Sequence, residues 1–122
     1  NREELAALTE KETVKEGLQY LFKRWGICKA AITDGPEQAY AFDGKDIAVY
    51  TLPVLEKVVN PIGCGDTASA VWTSELVCGT DIFTAFKCAL GAASANCLTS
   101  FCGSFEKADA EKLAGNTTFR IL

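Results

Sequence analysis

The stretch NPIGCGDTASAVW, Asn60 to Trp72, holds residue types at a spacing that could do chemistry. Gly63 and Gly65 flank Cys64 and precede one acid, Asp66, at the predicted mouth of a small-residue helix. Glycines there free the backbone and remove side chains that would block a ligand. The first N–H groups of a helix lack intrahelical partners, and with the helix dipole they form an anion site. A carboxylate beside that site can take a proton from an attacking hydroxyl while the N–H groups hold charge on a transferring phosphoryl group. Asp66 would equally complement the dipole and do nothing more. The four residues by themselves leave both readings open.

Such a loop needs a frame. Asn1 to Leu8 reads as a short helix. Thr9 and Glu12 have capping-box spacing ahead of a second helix. Val14, Leu18, Leu21, Phe22 and Trp25 form its apolar stripe, and Gly26 ends it. Ile27 to Thr33 reads as a buried strand and DGPE as a turn. QAYAF and DIAVYTL are two strands joined at DGK, so Asp43 and Lys45 read as a hairpin tip. From Asp66 the pattern is helical, with Ala68, Val71, Trp72 and Leu76 on one face and a stop at Gly79. Thr80 caps a helix from Asp81 to about Leu98, whose Ala, Gly and Cys content predicts close packing. Lys107 to Ala114 is a last short helix ended by Gly115, and FRIL a last strand. This order predicts an α/β fold, a layered sheet flanked by helices, as a single domain over residues 1–122.

Composition bounds the function. At 122 residues the chain can bury one core, and 48% hydrophobic with 23% charged residues is ordinary for a globular protein. A net charge of −4 with scattered basic residues argues against nucleic acid and anionic membrane as partners. The apolar runs are too short to span a bilayer, and NREELAAL is no signal peptide. The chain has no histidine, which removes His triads, His bases and His metal ligands. It has no methionine either, even at position 1, which suggests a piece of a longer protein. None of the six cysteines forms a C-x-x-C pair, and most sit in apolar runs. That favours reduced, structural thiols and a cytoplasmic setting over zinc or disulfides.

NPIGCGDTASAV resembles the C-terminal signature of the ribokinase-like (PfkB) carbohydrate kinase family, with Cys64 where Ala is usual. Two more segments agree in order and spacing. NREE resembles the family's N-x-x-E motif through Asn1 and Glu4, although Asn followed three positions later by Glu is also a capping pattern. ITDGPEQAY resembles the nucleotide segment T/S-x-G-x-x-G through Thr33 and Gly35, with Gln38 in place of the last glycine. In isolation that segment would read as a hairpin-entry turn. GAASANCLTSFCGSF resembles the adenine-side helix and loop, although alanine packing and a turn at Gly103 account for much of it.

The resemblance runs from Asn1 to about Gly115 and covers only the C-terminal, nucleotide-binding part of the family's usual length. It implies ATP-dependent phosphoryl transfer to a hydroxyl of a sugar or sugar phosphate. Asp66 would be the base, and the N–H groups of Gly63, Cys64 and Gly65 the anion hole. Thr33, Gly35, Asn96 and Gly103 would lie on the nucleotide side. Asn1 and Glu4 would help place Mg2+ through water, and Asn60 and Ile62 would offer oxygens to a monovalent cation such as K+. The partners implied are a nucleotide and a sugar-type small molecule, with a homodimer where an apolar face is left bare. The isolated chain would be inactive or very weak. The alternatives are a non-catalytic nucleotide- or anion-binding domain of the same fold, and a related nucleoside or vitamin-alcohol kinase.

Overall fold

The computed structural model describes residues 1–36 and 38–122. The elements are α1 (Arg2–Thr9), α2 (Val14–Trp25), β1 (Ala30–Asp34), β2 (Gln38–Phe42), β3 (Ile47–Thr51), α3 (Cys64–Val77), α4 (Ile82–Asn96), α5 (Lys107–Asn116) and β4 (Thr118–Ile121). The strands form one sheet in the order β1-β2-β3-β4, each pair antiparallel.

Strand periodicity divides the molecule into layers. Alternate residues of a strand face opposite sides. Ala39, Ala41, Ala48 and Tyr50 point to the side where Ala68 of α3 and Phe86, Ala89 and Leu90 of α4 complete a core. Ile32, Phe42 and Ile47 point the other way, onto Leu5, Val14, Leu18 and Leu21 of α1 and α2. Alanines on β2 and β3 let α4 lie close to the sheet. Tyr50 fills the remaining space, edge-on to Phe86 with ring centroids 5.3 Å apart. Its hydroxyl donates to Phe83 O at 2.8 Å. Burial first, and the Asp81 charge second, push its phenol above the ordinary range. The layered α/β arrangement is the one the sequence predicts. Among the described residues no helix is long and apolar enough to cross a membrane.

Glycine sets two helix contacts by size. A Cβ on Gly17 would come within 2.8 Å of Leu5 Cγ, and one on Gly91 within 2.5 Å of Ala110 O and 2.6 Å of Ala114 N. Leu5 has a flexible side chain that can yield. The α5 backbone opposite Gly91 cannot. Gly91→Ala should therefore destabilise the fold by about 1–3 kcal/mol through overpacking. A denaturant midpoint unchanged from wild type would contradict that.

Several boundaries differ from the sequence reading. The second helix is capped by Thr13 and Glu16, not by Thr9 and Glu12. Both pairs fit the capping spacing, but only Thr13 directly precedes the stripe that starts at Val14. Thr9 is the buried last residue of α1, its hydroxyl donating to Leu5 O at 2.7 Å. Hydrogen bonds from the Thr13 hydroxyl and N–H hold the Glu16 carboxyl below its ordinary range. Thr13→Ala should cost about 1 kcal/mol of thermal stability, read as a lower Tm.

The stripe is also narrower than its spacing suggests. Phe22 and Trp25 remain 44% and 48% exposed, and Trp25 packs edge-on against Tyr20 of its own helix. β1 begins at Ala30, leaving Ile27 to Lys29 exposed. Asp81, not Thr80, caps α4, accepting from the N–H groups of Phe83 and Thr84, and α4 ends at Asn96. Thr80 instead donates to Glu75 Oε2. α5 runs through Gly115 to Asn116. The DGK hairpin tip forms as expected, with Asp43 Oδ1 accepting from the N–H groups of Lys45 and Asp46. Of the expected DGPE turn, Glu37 lies outside the described residues.

Candidate active site

The segment after β3 has no regular structure until α3 begins, and side chains fix its end. The N–H groups of Val59 and Asn60 both donate to Cys97 O, at 2.8 and 3.2 Å. Asn60 Nδ2 donates to Ser100 O, while its Oδ1 accepts from Ile62 N at 3.0 Å. Asn96, 1% exposed, donates through Nδ2 to Ile62 O and accepts at Oδ1 from Gly103 N at 2.7 Å. The glycine loop is therefore laced to the end of α4 and the turn beyond it.

Gly63 then takes the left-handed conformation, φ 81°, that glycine tolerates without strain. A Cβ there would overlap Cys102 Sγ. α3 starts at Cys64 with no side chain capping it. Among the described residues the N–H groups of Gly65 and Asp66 meet no acceptor, and a Cβ on Gly65 would meet only open space. Bare, outward-facing N–H groups at a helix start are what an anion requires.

Two cavities meet at this helix start. One, about 380 Å³, is lined by Asn1, Glu4, Thr33, Gly65, Asp66 and Trp72 among others. Three segments far apart in sequence thus converge, and two of the lining residues are carboxylates. The other cavity, about 610 Å³, is lined by Thr33, Gly35, Gln38, Cys64 and Gly65, with an apolar wall that includes Leu52, Val54 and Leu90. Thr33, Gly65 and Ala68 belong to both. Thr33 reaches them because it lies on the Ala31 side of β1, facing α3, while Ile32 faces α1 and α2. Arg2 Nη1 pairs with Asp34 Oδ2 at 3.2 Å, tying the first turn of α1 to the end of β1 beside Thr33.

Asn1 and Glu4 form the capping box that their spacing allows. Asn1 Oδ1 accepts from Glu4 N at 2.9 Å and Glu4 Oε2 accepts from the Asn1 nitrogen, a complete capping box. Both residues also line the Asp66 cavity. Asn60, Ile62, Gly63, Asn96 and Gly103 line neither cavity. They build the loop instead. Among the described residues no three His, Cys, Asp or Glu side chains cluster to hold a metal ion, so any cation here would lean on waters or phosphate oxygens as well as Glu4 or Asp66.

Sequence reasoning missed the apolar wall from Leu52 to Val58, which lines the larger cavity. Its signal was an apolar run, LPVLEKVV, outside any helix or strand pattern. It also missed the thiol pair at the cavity edge. Cys64 Sγ and Cys97 Sγ lie 2.7 Å apart. Burial, and then the hydrogen bond to Cys64, push the Cys97 thiol above its ordinary range.

Residues 1–108 match the pattern of the pfkB family carbohydrate kinases. The chain belongs to the pfkB family of carbohydrate kinases. A comparison with curated proteins finds no match. The pfkB fold recurs in phosphofructokinase-2 from Escherichia coli, solved in complex with potassium, at 21% identity and TM-score 0.84, over 95% of this chain and 39% of that one. It recurs in a carbohydrate kinase from Agrobacterium tumefaciens, at 24% identity and TM-score 0.74, over 98% of this chain and 38% of that one. This pfkB chain thus spans about two fifths of the length of the solved structures it resembles.

Proposed function

We propose that this chain is the C-terminal, nucleotide-side part of a sugar kinase that moves the γ-phosphoryl group of ATP to a hydroxyl of a sugar or sugar phosphate. One observation carries the reading. The uncapped start of α3, Asp66 and the Asn1–Glu4 pair converge on one cavity that joins a second, larger and more apolar one at Thr33 and Gly65.

The roles follow from position. The adenosine end of ATP fits the larger cavity, against Leu52, Val54 and Leu90, with Thr33 and Gly35 on its phosphate side. The phosphates then reach the start of α3, where the N–H groups of Gly65 and Asp66 meet no acceptor among the described residues and that of Cys64 donates to Pro61 O at 3.4 Å. The anion hole is proposed from the N–H groups of Gly63, Cys64 and Gly65. These stabilise charge on the transferring group without having to reorganise. Asp66 accepts the proton of the acceptor hydroxyl as it attacks. Bound Mg2+ would neutralise phosphate charge, with Asn1 and Glu4 holding it through water. Asn60 and Ile62 are proposed to offer oxygens to K+. Each of those oxygens already accepts one hydrogen bond and keeps a second lone pair. Asn96 and Gly103 serve the nucleotide side through the loop they hold. Exposed apolar side chains, Phe22, Trp25 and Ile27 among them, support self-association, in its simplest form a homodimer.

The test is ATP-dependent phosphorylation by the full-length protein across a panel of sugars and sugar phosphates. Transfer to at least one of them is expected. ATP binding without transfer to any acceptor would favour the non-catalytic reading instead. Gln38 speaks for that reading, since it lines the larger cavity where the resembled motif has glycine. Transfer only to nucleosides or vitamin alcohols would move the chain to another substrate class.

A further inference from the structure

Three of the six cysteines gather at the phosphate loop. Cys64 Sγ lies 2.7 Å from Cys97 Sγ, and Cys102 Sγ stands against Gly63. Cys64 opens α3 and Cys97 follows the end of α4, so the pair bridges the start of one helix and the end of its neighbour. Both also line the 610 Å³ cavity, so a small solute entering it meets both thiols. All six thiols are free in the structure.

We propose that Cys64 and Cys97 form a reversible oxidation site that locks the phosphate loop, and that nucleotide in the adjoining cavity shields it. A covalent S–S bond is about 2.05 Å long, so a sub-ångström approach of the two sulfurs joins them. The oxidant is hydrogen peroxide. The Cys64 sulfur attacks one peroxide oxygen and the O–O bond breaks. Cys64 becomes a sulfenic acid, and the other oxygen leaves as water with the proton that the Cys64 thiol gives up. Cys97 Sγ then attacks Cys64 Sγ, the S–O bond breaks, and a second water leaves with the Cys97 proton. Two electrons pass from the sulfur pair to the peroxide. A dithiol reverses the bond by exchange.

The consequence rests on the kinase reading above. A disulfide would pin the first residue of α3, whose N–H belongs to the proposed anion hole, and place two linked sulfurs in the cavity wall. Nucleotide binding should fall on oxidation.

The test treats the 122-residue chain with stoichiometric hydrogen peroxide, alkylates the remaining thiols and maps the peptides. The expected result is a Cys64–Cys97 link that dithiothreitol reverses and MgATP slows. Cys64→Ala and Cys97→Ala should each abolish the link, and Cys78→Ser should leave it. A link from Cys64 to Cys102, or sulfinic acid on Cys64 with no link, overturns the site. Titration of the reduced and oxidised chain with MgATP tests the consequence. Loss of binding on oxidation and recovery on reduction are expected, and equal affinity in both states overturns the lock. A link that forms in a chain with no MgATP affinity even when reduced would instead sink the kinase reading and leave the oxidation site standing.

Discussion

Asp66→Asn should lower phosphoryl transfer by about 10²- to 10⁴-fold, the usual contribution of a positioned acid or base. Asn keeps the size and shape of the side chain and removes its negative charge, and with it the capacity to take the hydroxyl proton. Asp66 is exposed in its cavity, so the change leaves no buried polar group without a partner. Its helix-dipole contribution is about 0.3–1 kcal/mol, so the melting temperature should move little. Nucleotide affinity should hold or rise, because a negative charge beside the phosphates has gone. The signature is therefore a collapse in kcat with KM for ATP unchanged or lower, measured in the full-length protein. Near-normal kcat would show that Asp66 merely complements the dipole of α3.

Gly63→Ala should damage stability and activity together. Its φ of 81° costs a non-glycine residue about 1–2 kcal/mol. The added Cβ also overlaps Cys102 Sγ and lies 2.9 Å from Cys102 Cβ, and overpacking of that kind costs about 1–3 kcal/mol. The loop can relieve this only by turning away from the 97–103 turn, which re-aims the N–H groups of Cys64 and Gly65. The double variant Gly63→Ala with Cys102→Gly separates the causes. It removes the overlap and keeps the strained φ, so it should recover part of the lost stability. A double variant no more stable than Gly63→Ala would show that backbone conformation alone sets the demand for glycine.

Much of the site was legible because its parts are local in sequence. Gly63, Gly65 and Asp66 announce an uncapped helix start within four residues, and the structure has one. The meeting of Asn1, Glu4 and Thr33 with Asp66 was legible only through resemblance, because it depends on the packing of α1, β1 and α3. Asn96 shows the limit. Its type and position admitted a ligand contact. The structure shows it buried and joined to Gly103 N, in the turn just beyond α4, and to Ile62 O, 34 residues away in the chain. The strands QAYAF and DIAVYTL were legible as apolar runs around a hairpin tip, whereas the face each residue takes came only with the packing of the sheet. The second helix cap was misplaced because TEKE and TVKE both satisfy a local rule that only the neighbouring apolar stripe can decide. The Cys64–Cys97 contact had no sequence signal, since two helix ends must pack before it exists.

The central claim is that phosphate binds at the bare start of α3 between the two cavities. Titrating the isotopically labelled 122-residue chain with MgATP and following backbone amides by NMR tests it most directly. The account predicts that the largest shifts fall on Gly63 to Asp66, with Thr33 and Gly35 next, and that Cys28 and Cys78 stay still. Absence of binding, or shifts centred away from the start of α3, would contradict it.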